Sequence, residues 1–299
     1  MIQTRSKSLV TALWLLLAAT PASSFAQLGG PSWTNAREPF QIADNIYYVG
    51  TEDLSSYLFT SDAGHILIDA PLEENVPQIL ANIRSLGFDP ADIRIQVASH
   101  AHLDHVGGLA AMGRVTGADL LISEPDAPYV SQGKDFGLDG MTNGYPAARV
   151  TRTFRNMETI RLGDIALTAH LTPGHTPGCT SWSGTVRIQG DPYDFVSVCS
   201  LSVLGNYELG GDEPTYEGQA RDYCASVAHL ESLDPDIFLG AHGSWFGIDE
   251  KQAKRKAGDA EAFVERGTYR DYLSQARASI ERALSRAGFT GGCAALIGS

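Results

Sequence analysis

Past residue 26 the chain has no apolar run approaching the roughly 20 residues that a membrane-spanning helix requires, and no short segment repeats another. Positive charge is scarce as well: 22 Lys and Arg face 35 Asp and Glu, for a net charge of −13. So acidic a surface lacks the basic field that a phosphate backbone needs, which argues against nucleic acid as a partner. Cysteine occurs only at Cys179, Cys199, Cys224 and Cys293. What remains, 43% hydrophobic and 19% charged residues over 299 positions, is the composition of an ordinary globular protein with ample core.

Met1 to Ala26 has a basic start at Arg5 and Lys7, an apolar run from Leu9 to Ala19, and a small-residue end, Ala22-Ser23-Ser24-Phe25-Ala26. This pattern reads as a secretory signal cleaved near Ala26–Gln27, so residues 1–26 are expected to be removed and residues 27–299 exported to the periplasm. The signal carries two bases and no acid, and its loss takes the net charge to −15. In an oxidising compartment four cysteines allow three disulfide connectivities. A hairpin about Gln189-Gly190-Asp191-Pro192 would bring Cys179 near Ser202. Cys179–Cys199 is therefore favoured with a small slip, leaving Cys224–Cys293, and free buried thiols are the alternative.

Strands are expected at Ile46–Val49, Ser56–Thr60 and Ile66–Asp69, followed by a helix from Glu73 to Leu86 that Gly87 stops. A strand Ile93–Ala98, a helix Leu109–Val115 and a strand Asp119–Ser123 come next. Glu124 to Val150 reads as a long loop with one possible helical turn at Asp126–Gln132, and long loops in compact enzymes often border the site. Further strands are expected at Thr159–Leu162, Ile165–His170, Thr180–Ile188, Phe195–Val203 and Ile237–Leu239. Helices are expected at Gln219–Leu230, Glu250–Glu265 and Tyr269–Ala287. A meander followed by helices thus occurs twice, near Phe40–Ser123 and Arg152–Leu239, which suggests two sheets packed between outer helix layers.

The densest stretch is Ile93 to Gly108, where an alternating strand opens into His100-Ala101-His102-Leu103-Asp104-His105. Imidazole plus carboxylate is a donor set that borderline metals such as zinc prefer. His175 lies between two Pro-Gly pairs and His242 between Ala241 and Gly243, each at the exit of an apolar strand. His65 in a turn, His170 in a strand and His229 on a helix lack that setting and read as structural.

His-X-His-X-Asp-His, a Gly-His between Pro-Gly pairs and a later Ala-His-Gly after a strand together resemble the metallo-β-lactamase superfamily. Trp33, Gln41-Ile42-Ala43-Asp44, Gly50-Thr51-Glu52-Asp53-Leu54, Ser99-His100-Ala101-His102 and Ser200-Leu201-Ser202 resemble its subclass B3. The resemblance implies an α+β four-layer αβ/βα sandwich, two mixed β-sheets face to face with helices outside, in a single domain over 27–299. It also implies two Zn2+ ions, the first held by His100, His102 and His175 and the second by Asp104, His105 and His242. Asp104 would in addition orient the nucleophile, and Ser200 and Ser202 on one strand face would bind a substrate carboxylate. A carboxylate at the helix start could instead cap that helix.

Three neutral imidazoles leave zinc an open position, where water acidifies to a pKa of about 7. The expected function is hydrolysis of penicillins, cephalosporins and carbapenems by metal-bound hydroxide, without an acyl-enzyme. The one Ser-X-X-Lys past residue 26, Ser131-Gln132-Gly133-Lys134, falls in a Gly-rich loop with neither Ser-Asp-Asn nor Lys-Thr-Gly elsewhere, against a serine nucleophile. Another dizinc hydrolase, a lactonase or thioesterase, is the alternative. Many superfamily members carry a bridging Asp where this chain reads Val198-Cys199-Ser200-Leu201-Ser202, which counts against thioester and phosphodiester substrates. Register gives the position of a possible cysteine ligand to Ser200, not Cys199. The expected partner is a small β-lactam, met by a monomer away from any membrane.

Overall fold

Two mixed sheets share a buried layer of side chains, and the loops at one rim of both carry the site. The computed structural model describes residues 29–138 and 140–298; the expected signal at 1–26 lies outside them. The first sheet has seven strands in chain order: β1 (Phe40–Ala43), β2 (Ile46–Tyr48), β3 (Tyr57–Ser61), β4 (Gly64–Ile68), β5 (Ile93–Val97), β6 (Asp119–Ser123) and β7 (Arg152–Phe154). Its first four strands are antiparallel and its last four parallel. The second sheet is β8 (Thr159–Leu162), β9 (Ile165–Leu171), β10 (Thr180–Ile188), β11 (Asp191–Val198) and β12 (Ile237–Gly240), with only the β11–β12 pair parallel.

Alternation along the strands builds the layers. On β4, Ile66 and Ile68 join the layer between the sheets, while Leu67 faces outward with Val76, Ile79 and Ile83 of helix α1 (Val76–Ser85). Both faces of that strand are covered, so its residues are buried without interruption. Phe59 meets Phe195 across the gap with ring centroids 5.4 Å apart, and Phe154 meets Trp182 at 5.0 Å. Short helices α2 (Leu103–Val106), α3 (Leu109–Thr116) and α4 (Ala127–Gln132) complete the first outer layer. Helices α5 (Gln219–Glu231), α6 (Ile248–Lys256), α7 (Gly267–Arg286) and α8 (Gly292–Ile297) lie on the side of the second sheet.

Several expectations are corrected. Arg152–Phe154 pairs with β6 and so closes the first sheet instead of opening the second half. His65 lies within β4, not in a turn, and its ring meets Phe88 edge-on at 5.2 Å. The hairpin turn is two residues, Gln189-Gly190, both at positive φ, with Ile188 opposite Asp191. Continued past its last pair, that register would set Cys179 opposite Ser200, two residues short of Ser202. The chain leaves the ladder there, and Cys179 bonds to Cys199 while Cys224 bonds to Cys293. The helix expected over 250–265 ends at Lys256, since Gly258 adopts φ +97° and Phe263 turns into the core. The second disulfide holds the tail from Gly288, where α8 forms.

Candidate metal centre

Strands β9, β11 and β12 run in one direction, and the turns after their carboxyl ends meet the turn after β5. Backbone bonds tie this rim together: Thr180 N donates to Ser99 O at 2.8 Å, Ser55 N to Ala241 O at 3.1 Å, and Gly243 N to Asp53 O at 2.6 Å. His100 and His102 leave β5, His175 follows β9, Ser200 and Ser202 follow β11, and His242 follows β12.

These turns bring all six expected metal donors together. The ligand-type atoms of His100, His102 and His175 lie within 4.8 Å of one another, as do those of His100, Asp104 and His105. Asp104 Oδ2 is 3.3 Å from His105 Nε2 and 3.5 Å from His242 Nε2. Asp104 sits inside α2, whose N-cap position is His102, so its carboxylate is not spent on a cap. Cys179 and Cys199 also approach His100, but their sulfurs are joined to each other.

Each imidazole uses one ring nitrogen outward. His100 Nδ1 lies 3.0 Å from Ser99 Oγ, which itself donates to Asp69 Oδ2. His102 Nε2 donates to Phe136 O at 2.9 Å, and His175 Nδ1 to Ser202 O at 2.7 Å. His105 Nδ1 faces Asp69 Oδ2 at 3.2 Å, and His242 Nδ1 faces Asp53 Oδ2 at 2.9 Å. Such outer partners select the tautomer and leave the opposite nitrogen for a metal, as metal-binding histidines require. Behind the His175 turn, α5 supplies Gln219 Nε2 to Gly174 O, Ser226 Oγ to Pro173 O and Tyr223 OH to Ser202 O. Gly174 has φ +136°, and a Cβ there would meet the Tyr223 ring at 2.6 Å, so no larger residue fits this turn.

The electrostatics divide the donors into two sets. Burial, then the neighbouring imidazoles, hold His100 and His175 well below the ordinary histidine range, and burial takes His102 down to about 4. These three are neutral at pH 7, with lone pairs available. Burial works against charge on Asp104 too, but His105 and His242 outweigh it and keep the carboxyl well below its usual value. Burial would likewise depress His105, yet Asp104 and Asp69 raise it to about 10, and His242 is raised by Asp104 and Asp53. The protein thus concentrates carboxylates behind the second set, Asp69 on His105 and Asp53 on His242. Three neutral imidazoles beside a carboxylate-backed set fit divalent metal.

Ser200 and Ser202 fall beyond the end of β11, in irregular chain and not on a strand face, yet both line the cavity over the donors. The cavity encloses about 630 Å³. Trp33, Leu138, Met141, Leu204 and Trp245 form its apolar wall, and Trp33 and Trp245 flank the His242 ring at 6.0 and 4.7 Å. Phe136 lies below the cavity, buried against His102 with centroids 6.5 Å apart. Among the described lining residues Asp104 is the sole acid, and none is Lys or Arg. His170 and His229, expected to be structural, bond to each other at 2.9 Å away from this cavity. The motifs gave no sign of the partners Asp53 and Asp69, nor of Asp135. The last accepts from Leu103 N and Thr142 Oγ1, and burial pushes its carboxyl up to about 7.

A family model described as the metallo-beta-lactamase superfamily matches residues 49–242. The subclass B3 metallo-beta-lactamase BJP-1 of Bradyrhizobium japonicum is 37% identical, with a TM-score of 0.81 over 86% of this chain and 97% of that one. The metallo-beta-lactamase FEZ-1 of Legionella gormanii is 38% identical, with a TM-score of 0.82 over 86% and 99%. Among relatives found by sequence, the N-acyl homoserine lactonase AttM of Agrobacterium fabrum is 29% identical over 179 residues, 51% of this chain. The chain spans 66% of that lactonase's length.

Proposed function

The chain belongs to the metallo-β-lactamase superfamily, and from that premise we propose that it is a zinc-dependent β-lactamase, hydrolysing penicillins, cephalosporins and carbapenems in the periplasm as a monomer. The observation that carries this reading is the convergence of five imidazoles and Asp104 under one 630 Å³ cavity edged by Ser200 and Ser202. His100, His102 and His175 would hold one zinc ion, and Asp104, His105 and His242 a second. Zinc so held supplies a Lewis acid and a water acidified to a pKa of about 7.

The chain's own groups account for the rest. Asp104, whose Oδ2 lies 3.3 Å from His105 Nε2 and 3.5 Å from His242 Nε2, would orient the attacking water from the edge of this set. Ser202 lines the cavity, while Ser200 Oγ accepts from Ser202 N at 3.2 Å and keeps its own proton to donate. Both hydroxyls suit the carboxylate that accompanies a β-lactam ring. The wall of Trp33, Leu138 and Met141 packs the substrate's apolar substituent and keeps bulk water from the carbonyl.

A second reading, lactone hydrolysis, is favoured by the sequence likeness to the lactonase and by the absence of any Lys or Arg among the described lining residues. A neutral ring needs no cationic partner, whereas a β-lactam carboxylate must rely on the serines and metal. Turnover of nitrocefin, a penicillin, a carbapenem and an acyl-homoserine lactone, each with and without a chelator, separates the two. Chelator-sensitive opening of the β-lactams is expected; a lactone-only profile would overturn the proposal.

A further inference from the structure

The three-imidazole set is assembled from two turns far apart in sequence, and one buried carboxylate bonds to both. Asp126 is 1% exposed. Its Oδ2 accepts from Ala101 N at 3.0 Å and from Thr176 Oγ1 at 2.7 Å, and its Oδ1 accepts from Gly178 N at 2.7 Å. Ala101 is the residue between His100 and His102, while Thr176 and Gly178 follow His175. We propose that Asp126 is a positioning residue that locks the His100–His102 turn to the His175 turn and thereby sets the metal affinity of the three-imidazole site. The inference rests on the metal-hydrolase reading above and assigns part of that site's preorganisation to a residue outside the cavity.

Chemistry and packing both require a carboxylate here. Three donors meet two oxygens, and Ala101 and Thr176 are fully buried, so without the carboxylate those donors have no water to turn to. An amide could satisfy one oxygen's donors but would set its own N–H against those at the other. The approach of the His175 turn is equally specific, because a Cβ on Gly178 would collide with Ser123 Oγ and come within 2.7 Å of Asp126 Cγ. Asp126 is itself anchored, its N–H donating to Ser123 O at 3.2 Å just before α4. It does not line the cavity, so it acts on substrate only through the histidines.

The test compares the full-length wild type with Asp126→Asn and Thr176→Val, using zinc competition against a chromophoric chelator and the d–d spectrum of the cobalt-substituted protein. Far-UV circular dichroism and thermal melts report folding separately. Asp126→Asn is expected to fold, to lose about 10–100-fold in affinity at the three-imidazole site, and to change the cobalt spectrum. Thr176→Val should lose less, in the same direction. A folded Asp126→Asn that melts earlier yet keeps wild-type affinity and spectrum overturns the inference and leaves the metal-hydrolase reading standing. Should Asp126→Asn not fold, Thr176→Val decides by the same readouts. Wild type that takes up no zinc overturns the metal reading itself, and this inference with it.

Discussion

Asp53 Oδ2 lies 2.9 Å from His242 Nδ1, across 189 positions of sequence, while Ser244 N donates to Asp53 Oδ1 at 3.0 Å. The loop after β2 thus fixes the ring that follows β12. A carboxylate on the outer nitrogen orients a metal-binding imidazole and raises its basicity.

From this pair follows the first prediction. Asp53→Asn should weaken metal retention at the Asp104–His105–His242 set by about 10-fold or more, read as zinc per protein after dialysis. Burial would raise the Asp53 carboxyl, but His242 and Ser244 hold it down at about 2. Its contribution to stability is therefore present above the unfolded value near 4 and fades as pH falls toward 2. Acid melts of the metal-free protein should show a shallower loss over that window in the variant.

Removing a proposed ligand should cost more than removing its support. His102→Ala is expected to lose the first ion and to lower turnover beyond the ~10–100-fold typical of an outer partner, with circular dichroism unchanged. Full activity with zinc retained would refute its role.

Lys251 offers a test of stability away from the site. It is 5% exposed, and among the described residues Nζ finds no hydrogen-bond partner; it lies 5.9 and 6.0 Å from the rings of Phe246 and Phe263, with Glu265 the largest acidic influence. Burial lowers its pKa, so folding is penalised while the amine is charged and strengthens as pH rises toward the unfolded value near 10.4. Lys251→Met should raise the melting temperature at pH 7 by a few degrees, about 1 kcal/mol, with the gain shrinking in alkali.

The Cys224–Cys293 bond ties α8 to α5 across 69 positions. Cys293→Ser should cost about 2–4 kcal/mol, visible as a lower melting temperature and faster proteolysis after Arg286. Activity at room temperature should persist, because neither helix carries a metal donor. Non-reducing peptide mapping checks both pairings directly.

The chain's local chemistry determined a good deal. His100, His102, Asp104 and His105 fall within six residues, so a strand exit alone brings them close, and His175 and His242 announce themselves by rigid Gly-rich turns at other exits. Apolar alternation placed most strands and helices to within a few residues. Only the tertiary structure decided that Arg152–Phe154 joins the first sheet, because three residues pair with whichever edge packing leaves open. It alone revealed Asp53, Asp69 and Asp126 as partners of the histidine turns, since a lone acid in a loop looks the same whether it meets water or a ring nitrogen. Donor types and local turns are written in short windows of sequence, whereas which side chain faces which depends on sheets meeting across more than a hundred positions.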